Sequence, residues 1–204
     1  LEFNLEEKRI IKEYLPRYNS KVTLKNTNIK FSKSKSGQNA ELDGMIKIGE
    51  QFDYFKIKER YKYKNGFDIA GTIDLTNSEL NLSKLNYKKE LETKSELKFD
   101  INFILNKIYK IYNLTFFADK TKIYLSNVKL NNNFETTDFE SIKIKTFKNQ
   151  YKNNDYLVKK SKKIIISGEI FDAEPLLKSL YKKSDRKTFS KNFNSEIKIN
   201  FNKA

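Results

Sequence analysis

From Lys21 onward apolar and polar residues alternate with a period of two, and this rhythm constrains the fold more than any other feature of the chain. Val22 and Leu24 alternate with Lys21, Thr23 and Lys25, and Ile29 and Phe31 flank Lys30. Leu42, Gly44, Ile46 and Ile48 continue the pattern, and Phe55, Ile57, Tyr61 and Tyr63 then oppose Lys56, Lys58, Lys62 and Lys64. Successive side chains of a strand point to opposite faces, so this pattern specifies an antiparallel sheet with one apolar and one wet face. Asn65-Gly66 is the strongest hairpin signal in the chain, and Phe67, Ile69, Gly71, Ile73 and Leu75 form the return strand.

Further strands are predicted at Leu80 to Tyr87, Leu97 to Leu105, Leu114 to Ala118, Lys122 to Leu130 and Phe139 to Phe147. Leu97, Phe99, Ile101, Phe103 and Leu105 share one parity, although residues 101–112 also fit a helical stripe. Ile142 and Ile144 face away from Lys143 and Lys145, and Ile197, Ile199 and Phe201 form a last strand. FSKSKSGQNA (Phe31 to Ala40), Asn131 to Asn133, QYKNNDY and SDRKTFSKNFN read as loops or turns. The total is about ten or eleven strands at meander spacing. Before them, LEEKRIIKEYL (residues 5–15) reads as a short amphipathic helix closed by Pro16. The chain therefore divides into a helical segment, 1–20, and a β segment, 21–204.

One corner stands apart. In KIIISGEIFDAEPLLKSL, Ile164, Ile166 and Ile170 alternate along a strand, and Gly168 marks a bulge or a close backbone approach. A helix is expected to open at Asp172, with Phe171 stapled onto Leu176 and Pro175 inside the first turn. Leu176, Leu177 and Leu180 give that helix its apolar face. On local physics the corner is architectural.

Composition removes whole classes of chemistry. The chain has no Cys and no His, so disulfides, thiolate metal sites, Cys nucleophiles and His-based triads are excluded. Asp68, Asp74, Asp100, Asp138 and Asp172 fall at turns, edges or caps, the ordinary place for Asp. The six glycines form no phosphate-binding loop. A net charge of +15 invites a nucleic-acid partner, and KIKERYKYK interleaves Lys with Tyr as a single-strand binder does. Yet the only arginines are Arg9, Arg17, Arg60 and Arg186, and the lysines are spread throughout, so no nucleic acid is expected. No apolar run is long enough for a membrane span. The chain starts at Leu1 without an initiator Met and ends on NFNKA, which reads as a region of a longer protein.

The corner SGEIFDAEPLL, together with GTIDLTNSELNLSKLNYKK and SNVKLNNNFETTDFESIKIKT, resembles the repeat region of AsmA-like envelope proteins of the YhdP and TamB type. The similarity runs from about Leu42 to Leu180. It implies a long antiparallel meander, curved into an open hydrophobic groove that conducts phospholipid between the inner and outer membranes of Gram-negative bacteria and supports outer-membrane assembly. It further implies a periplasmic location, an inner-membrane anchor outside this piece, and no catalytic residue or cofactor to transfer. The groove lining expected from the alternation is Ile46, Ile48, Ile57, Phe67, Ile69, Ile73, Leu75, Leu97, Phe99, Ile101, Phe103, Ile142, Ile144, Ile164 and Ile166. Gly168, Phe171, Asp172, Pro175 and Leu176 are the structural motif. Pattern alone leaves open a closed β-sandwich acting in protein interaction, or a basic nucleic-acid-binding β-protein. It also leaves open which parity faces inward, because one bulge reverses the faces.

Overall fold

The computed structural model describes residues 2–4, 13–18, 21–62, 66–104, 108–181 and 195–203. Of the expected N-terminal helix, Glu13 and Tyr14 are helical and residues 5–12 lie outside the described residues, as does the loop at 184–194. Before it, β1 (Glu2–Asn4) is a strand paired with β2 (Lys21–Ser34). The chain then runs through β3 (Gly37–Lys47), β4 (Phe52–Lys62) and β5 (Gly66–Asp74). A small excursion follows: β6 (Leu80–Leu82), a 3₁₀ turn (Ser83–Leu85) and β7 (Tyr87–Lys89). The meander resumes with β8 (Ser95–Ile104), β9 (Ile108–Ala118), β10 (Thr121–Leu130), β11 (Thr136–Asp138), β12 (Ser141–Lys148), β13 (Tyr151–Lys160) and β14 (Ile164–Ile170). Helix α1 (Glu174–Tyr181) and β15 (Ile197–Lys203) close it.

The protein is mainly β. One long sheet has the order β1-β2-β3-β4-β5-β8-β9-β10-β12-β13-β14-β15, with β11 added beside β10 and β6-β7 a separate pair. Neighbours are antiparallel except β14 and β15, which are parallel. The expectation of an antiparallel meander throughout is corrected there. The chain between Ile170 and Ile197, α1 included, serves as the crossover that returns it to the start of β14, and a parallel pair requires one.

Other boundaries differ from the sequence reading for one common reason: ladder hydrogen bonds propagate through polar residues once neighbouring strands hold them. FSKSKSGQNA is not a loop; Ser34 pairs with Gly37 and only Lys35 and Ser36 turn. In QYKNNDY the turn is at Asn149 and Gln150, both at positive φ, and Tyr151 already belongs to β13. At Asn131 to Asn133 the left-handed residue is Phe134, while the Asn131 carboxamide oxygen accepts the N–H groups of Asn133 and Glu135. Leu80 to Tyr87 is a hairpin outside the main sheet, not a strand within it.

The register settles the parity. Gly44, Phe55, Ile73, Leu97, Phe116, Ile123, Ile144, Tyr156, Gly168 and Phe201 are successive cross-strand partners from β3 to β15. A second row on the same face, about 7 Å further along the strands, is Leu42, Ile57, Gly71, Phe99, Leu114, Leu125, Ile142, Val158, Ile166 and Ile199. Paired bulges keep the face apolar. β9 skips Tyr112 and β10 skips Asn127 at the same level, so Ile111 and Val128 rejoin the side of Leu114 and Leu125.

Candidate functional site: an apolar sheet face

Every strand position of the expected lining lies on this one face. Ile46 is in register with Asp53 on the face of Phe55 and Ile57; Phe67, Ile69 and Ile73 pair with Phe103, Ile101 and Leu97, and Phe99 faces Gly71. Ile142 and Ile144 pair with Val158 and Tyr156, and Ile166 and Ile164 follow on β14. Ile48 departs from the row: it sits in the bend after β3, beside Leu15, Tyr18 and Leu91.

The rows differ sharply in cover. Leu80, Leu82, Leu85 and Tyr87 of the β6–β7 excursion pack with Phe116, Ile123, Ile144 and Tyr156 of the first row and with Leu75 just beyond β5, making these a buried core with Phe171 and Phe201 at its margin. Burial pushes the Tyr156 phenol up to about 12, so it stays neutral among its apolar neighbours. Val128, Phe139 and Ile164 form a second core patch, with Phe139 turned inward between β11 and β12. By contrast Leu42, Ile57, Phe99 and Leu114 are half-buried and belong to neither patch, whereas Leu125, Ile142 and Ile166 pack against the second and Ile142 and Ile166 against the first as well; the sheet's flanks expose Ile29, Phe31, Ile197 and Ile199. Tyr61, Phe67, Phe103 and Tyr109 make an aromatic margin further out, with Phe134 stacked on Tyr109 at 4.9 Å.

The opposite face is wet, carrying Lys56, Thr72, Lys98, Thr115, Tyr124 and Lys143 in register. Lys122 lies over the Phe117 ring at 4.9 Å and Lys98 pairs with Glu96. On the polar face a hollow of about 700 Å³ is lined by Lys30, Glu41, Lys58, Arg60, Asp68 and Asp100. KIKERYKYK is split between faces: Lys56, Lys58 and Arg60 are wet, whereas Tyr61 stacks on Phe67 on the apolar side.

Asn153 and Asn154 hold the covering hairpin to the sheet, a role the sequence reading missed because it took them for turn residues. The Asn154 carboxamide donates to Leu85 O and Thr146 Oγ1 and accepts the Asp172 N–H; Asn153 donates to Leu85 O and Asp172. Asn154 is 1% exposed. Asn154→Ala strands these buried partners and is expected to cost about 2–3 kcal/mol, measured by urea unfolding, with Lys35→Ala in the exposed turn after β2 near neutral.

The corner is built differently from expectation. α1 begins at Glu174, so Asp172 precedes the cap; its carboxylate accepts the Glu174 N–H and the Asn86 side chain. Phe171 stacks on Phe201 and edges Tyr156, so it makes no staple to Leu176, which is 52% exposed. Burial in the sheet draws Phe171 away from the helix. Pro175 lies in the first helical turn as expected. Hydrogen bonds from Lys178 and Lys148 pull the Glu174 carboxyl down to about 2.

A second unforeseen cluster anchors the near end of the hairpin. Lys89 is buried, with its ammonium donating to Thr76 O and Glu90 O, and burial lowers its pKa. Asp53, also buried, accepts the Asn77 N–H and Ser78 Oγ–H; burial raises its pKa. Among the described residues no three metal-ligating side chains gather, and no helix is long and apolar enough to cross a membrane. No family model, curated protein or solved structure matches the chain.

Proposed function

We propose that the chain is a non-enzymatic carrier of acyl chains, with the half-buried rows of its apolar face as the surface that shields them from water. More particularly, it is a segment of an AsmA-like envelope protein, periplasmic and anchored to the inner membrane by other parts. Such a protein conducts phospholipid between the two membranes and supports outer-membrane assembly. One observation carries the reading: the stretch of the row through Leu42, Ile57, Phe99 and Leu114 is continuous from β3 to β9 and half-buried, and it belongs to neither core patch. Acyl tails gain by leaving water against such a surface, at about 25 cal/mol per Å² of apolar area. Lysines near the margins suit anionic headgroups.

The test is native mass spectrometry with lipid extraction, on protein purified from bacterial cells without detergent. Phospholipid at stoichiometric amounts supports the carrier. A lipid-free mass, with Phe99 protected from solvent in hydroxyl-radical footprinting, would instead assign the face to protein contacts. Oligonucleotide binding with a steep salt dependence would favour the nucleic-acid alternative.

A further inference from the structure

We infer that Glu59 makes the apolar face selective for amphiphiles whose headgroup carries an ammonium group. The inference rests on the acyl-carrier reading of that face and adds which headgroup it takes. β4 directs Phe55, Ile57, Glu59 and Tyr61 to the apolar face, with no register shift against either neighbouring strand. Glu59 lies between Ala40 on β3 and Ile69 on β5, bordering the half-buried stretch at Ile57. No cross-strand or diagonal neighbour on this face is a cation.

Glu59 is half-buried, and among the described residues no ion pair or side-chain hydrogen bond reaches its carboxylate. In a chain of net charge +15 that is an exception. Glu41, one strand away on the opposite face, bonds Lys58 at 2.9 Å, and Asp138 holds both Lys129 and Lys160. An acyl chain laid along Leu42, Ile57 and Phe99 takes water from Glu59 as well. Under a ligand with no cation, the carboxylate loses hydration and gains nothing in return, which opposes binding. Under a ligand with an ammonium group, it gains a charge-assisted hydrogen bond. The Tyr61 and Phe67 rings, with centroids 4.8 Å apart beside it, offer π surface to the same cation. A phospholipid with a primary ammonium beyond its phosphate therefore suits this face better than one with an uncharged headgroup alcohol.

The probes are two lysophospholipids with the same dodecanoyl chain, one with an ethanolamine and one with a glycerol headgroup. Each is titrated below its micelle concentration into the full chain, by isothermal titration calorimetry. The buffer holds about 0.15 M salt, which screens long-range attraction to the net charge. The affinity ratio, ethanolamine over glycerol, is expected to fall about tenfold in Glu59→Gln, which keeps the side chain's shape and removes its charge. It should stay at the wild-type value in Glu41→Gln, the same substitution on the opposite face. Circular dichroism verifies that both variants keep their fold. If neither lysophospholipid binds the wild-type chain, the acyl-carrier reading fails and this inference fails with it. If both bind but the ratio is unchanged in Glu59→Gln, or falls equally in Glu41→Gln, the face still carries acyl chains and only the selection by Glu59 is overturned.

Discussion

Ile144→Asp is expected to unfold the protein, whereas Phe99→Asp is expected to leave it folded and strip it of bound phospholipid. Both positions are apolar, central and on the same sheet face, so the alternation alone treats them alike. Ile144 is 8% exposed, beneath the hairpin and flanked in register by Ile123 and Tyr156. A carboxylate there has no water and no cation partner, and the loss is about 5 kcal/mol or more, comparable to the whole stability of many domains. Phe99 is in the adjacent row, half-buried, opposite Gly71 and Leu114. An Asp there keeps access to solvent, and the cost falls to about 1–2 kcal/mol. Urea unfolding with circular dichroism reads the first effect, and lipid extraction from folded protein reads the second. Phe99→Asp that unfolds as completely as Ile144→Asp would show the second row to be core, and the carrier proposal would lose its surface. Folded Phe99→Asp that retains its full lipid would place the acyl chains elsewhere.

Gly168→Val should be the most damaging substitution at the corner. A β-carbon on Gly168 would lie 2.3 Å from Asp155 O and 2.6 Å from Tyr156 Cα, both backbone atoms that cannot swing aside. The closeness follows from the bulge: Tyr156 pairs with Gly168 and Asp155 with Ile170, so Glu169 is the extra residue and the strands are pressed together beside it. Opening that ladder also disturbs Tyr156 against Phe171 and Phe201, at 5.6 Å and 5.9 Å. The expected cost is about 3 kcal/mol, or roughly 10 °C in Tm for a chain of this size. Differential scanning calorimetry against Ser167→Ala, one residue earlier and on the other face, measures it. A Tm unchanged from wild type would mean that the strands separate there freely.

Much of the sheet was legible because a strand's side-chain period is local. Phe67 to Leu75 needed only its own alternation to be placed; β4 and β5 are neighbours as the hairpin signal at Asn65-Gly66 suggests, but Gly66 already pairs with Lys62 and Phe67 with Tyr61, not in the register of a two-residue Asn-Gly loop. Even the bulges left a trace. The apolar residues of β9 switch from Tyr109 and Ile111 to Leu114 and Phe116, while those of β10 switch from Ile123 and Leu125 to Val128 and Leu130. Each phase break falls where a residue is skipped, at Tyr112 and Asn127. Read as pairs, these breaks would have fixed the common face before any coordinates.

What the sequence by itself determined is therefore the mainly-β class, the alternation within each strand and the close approach at Gly168. What only the tertiary structure decided is which apolar residues are covered. Leu80 to Tyr87 has the composition of another strand, and nothing local says that it leaves the sheet and lies across Ile123 and Ile144. Asn153 and Asn154 resemble turn residues until Leu85, Thr146 and Asp172 are brought within hydrogen-bond reach from distant parts of the chain. Phe171 abandons Leu176 because Phe201, delivered by the parallel last strand, offers it a larger apolar surface. Alternation fixes the direction in which a side chain points; burial depends on what arrives from elsewhere to meet it.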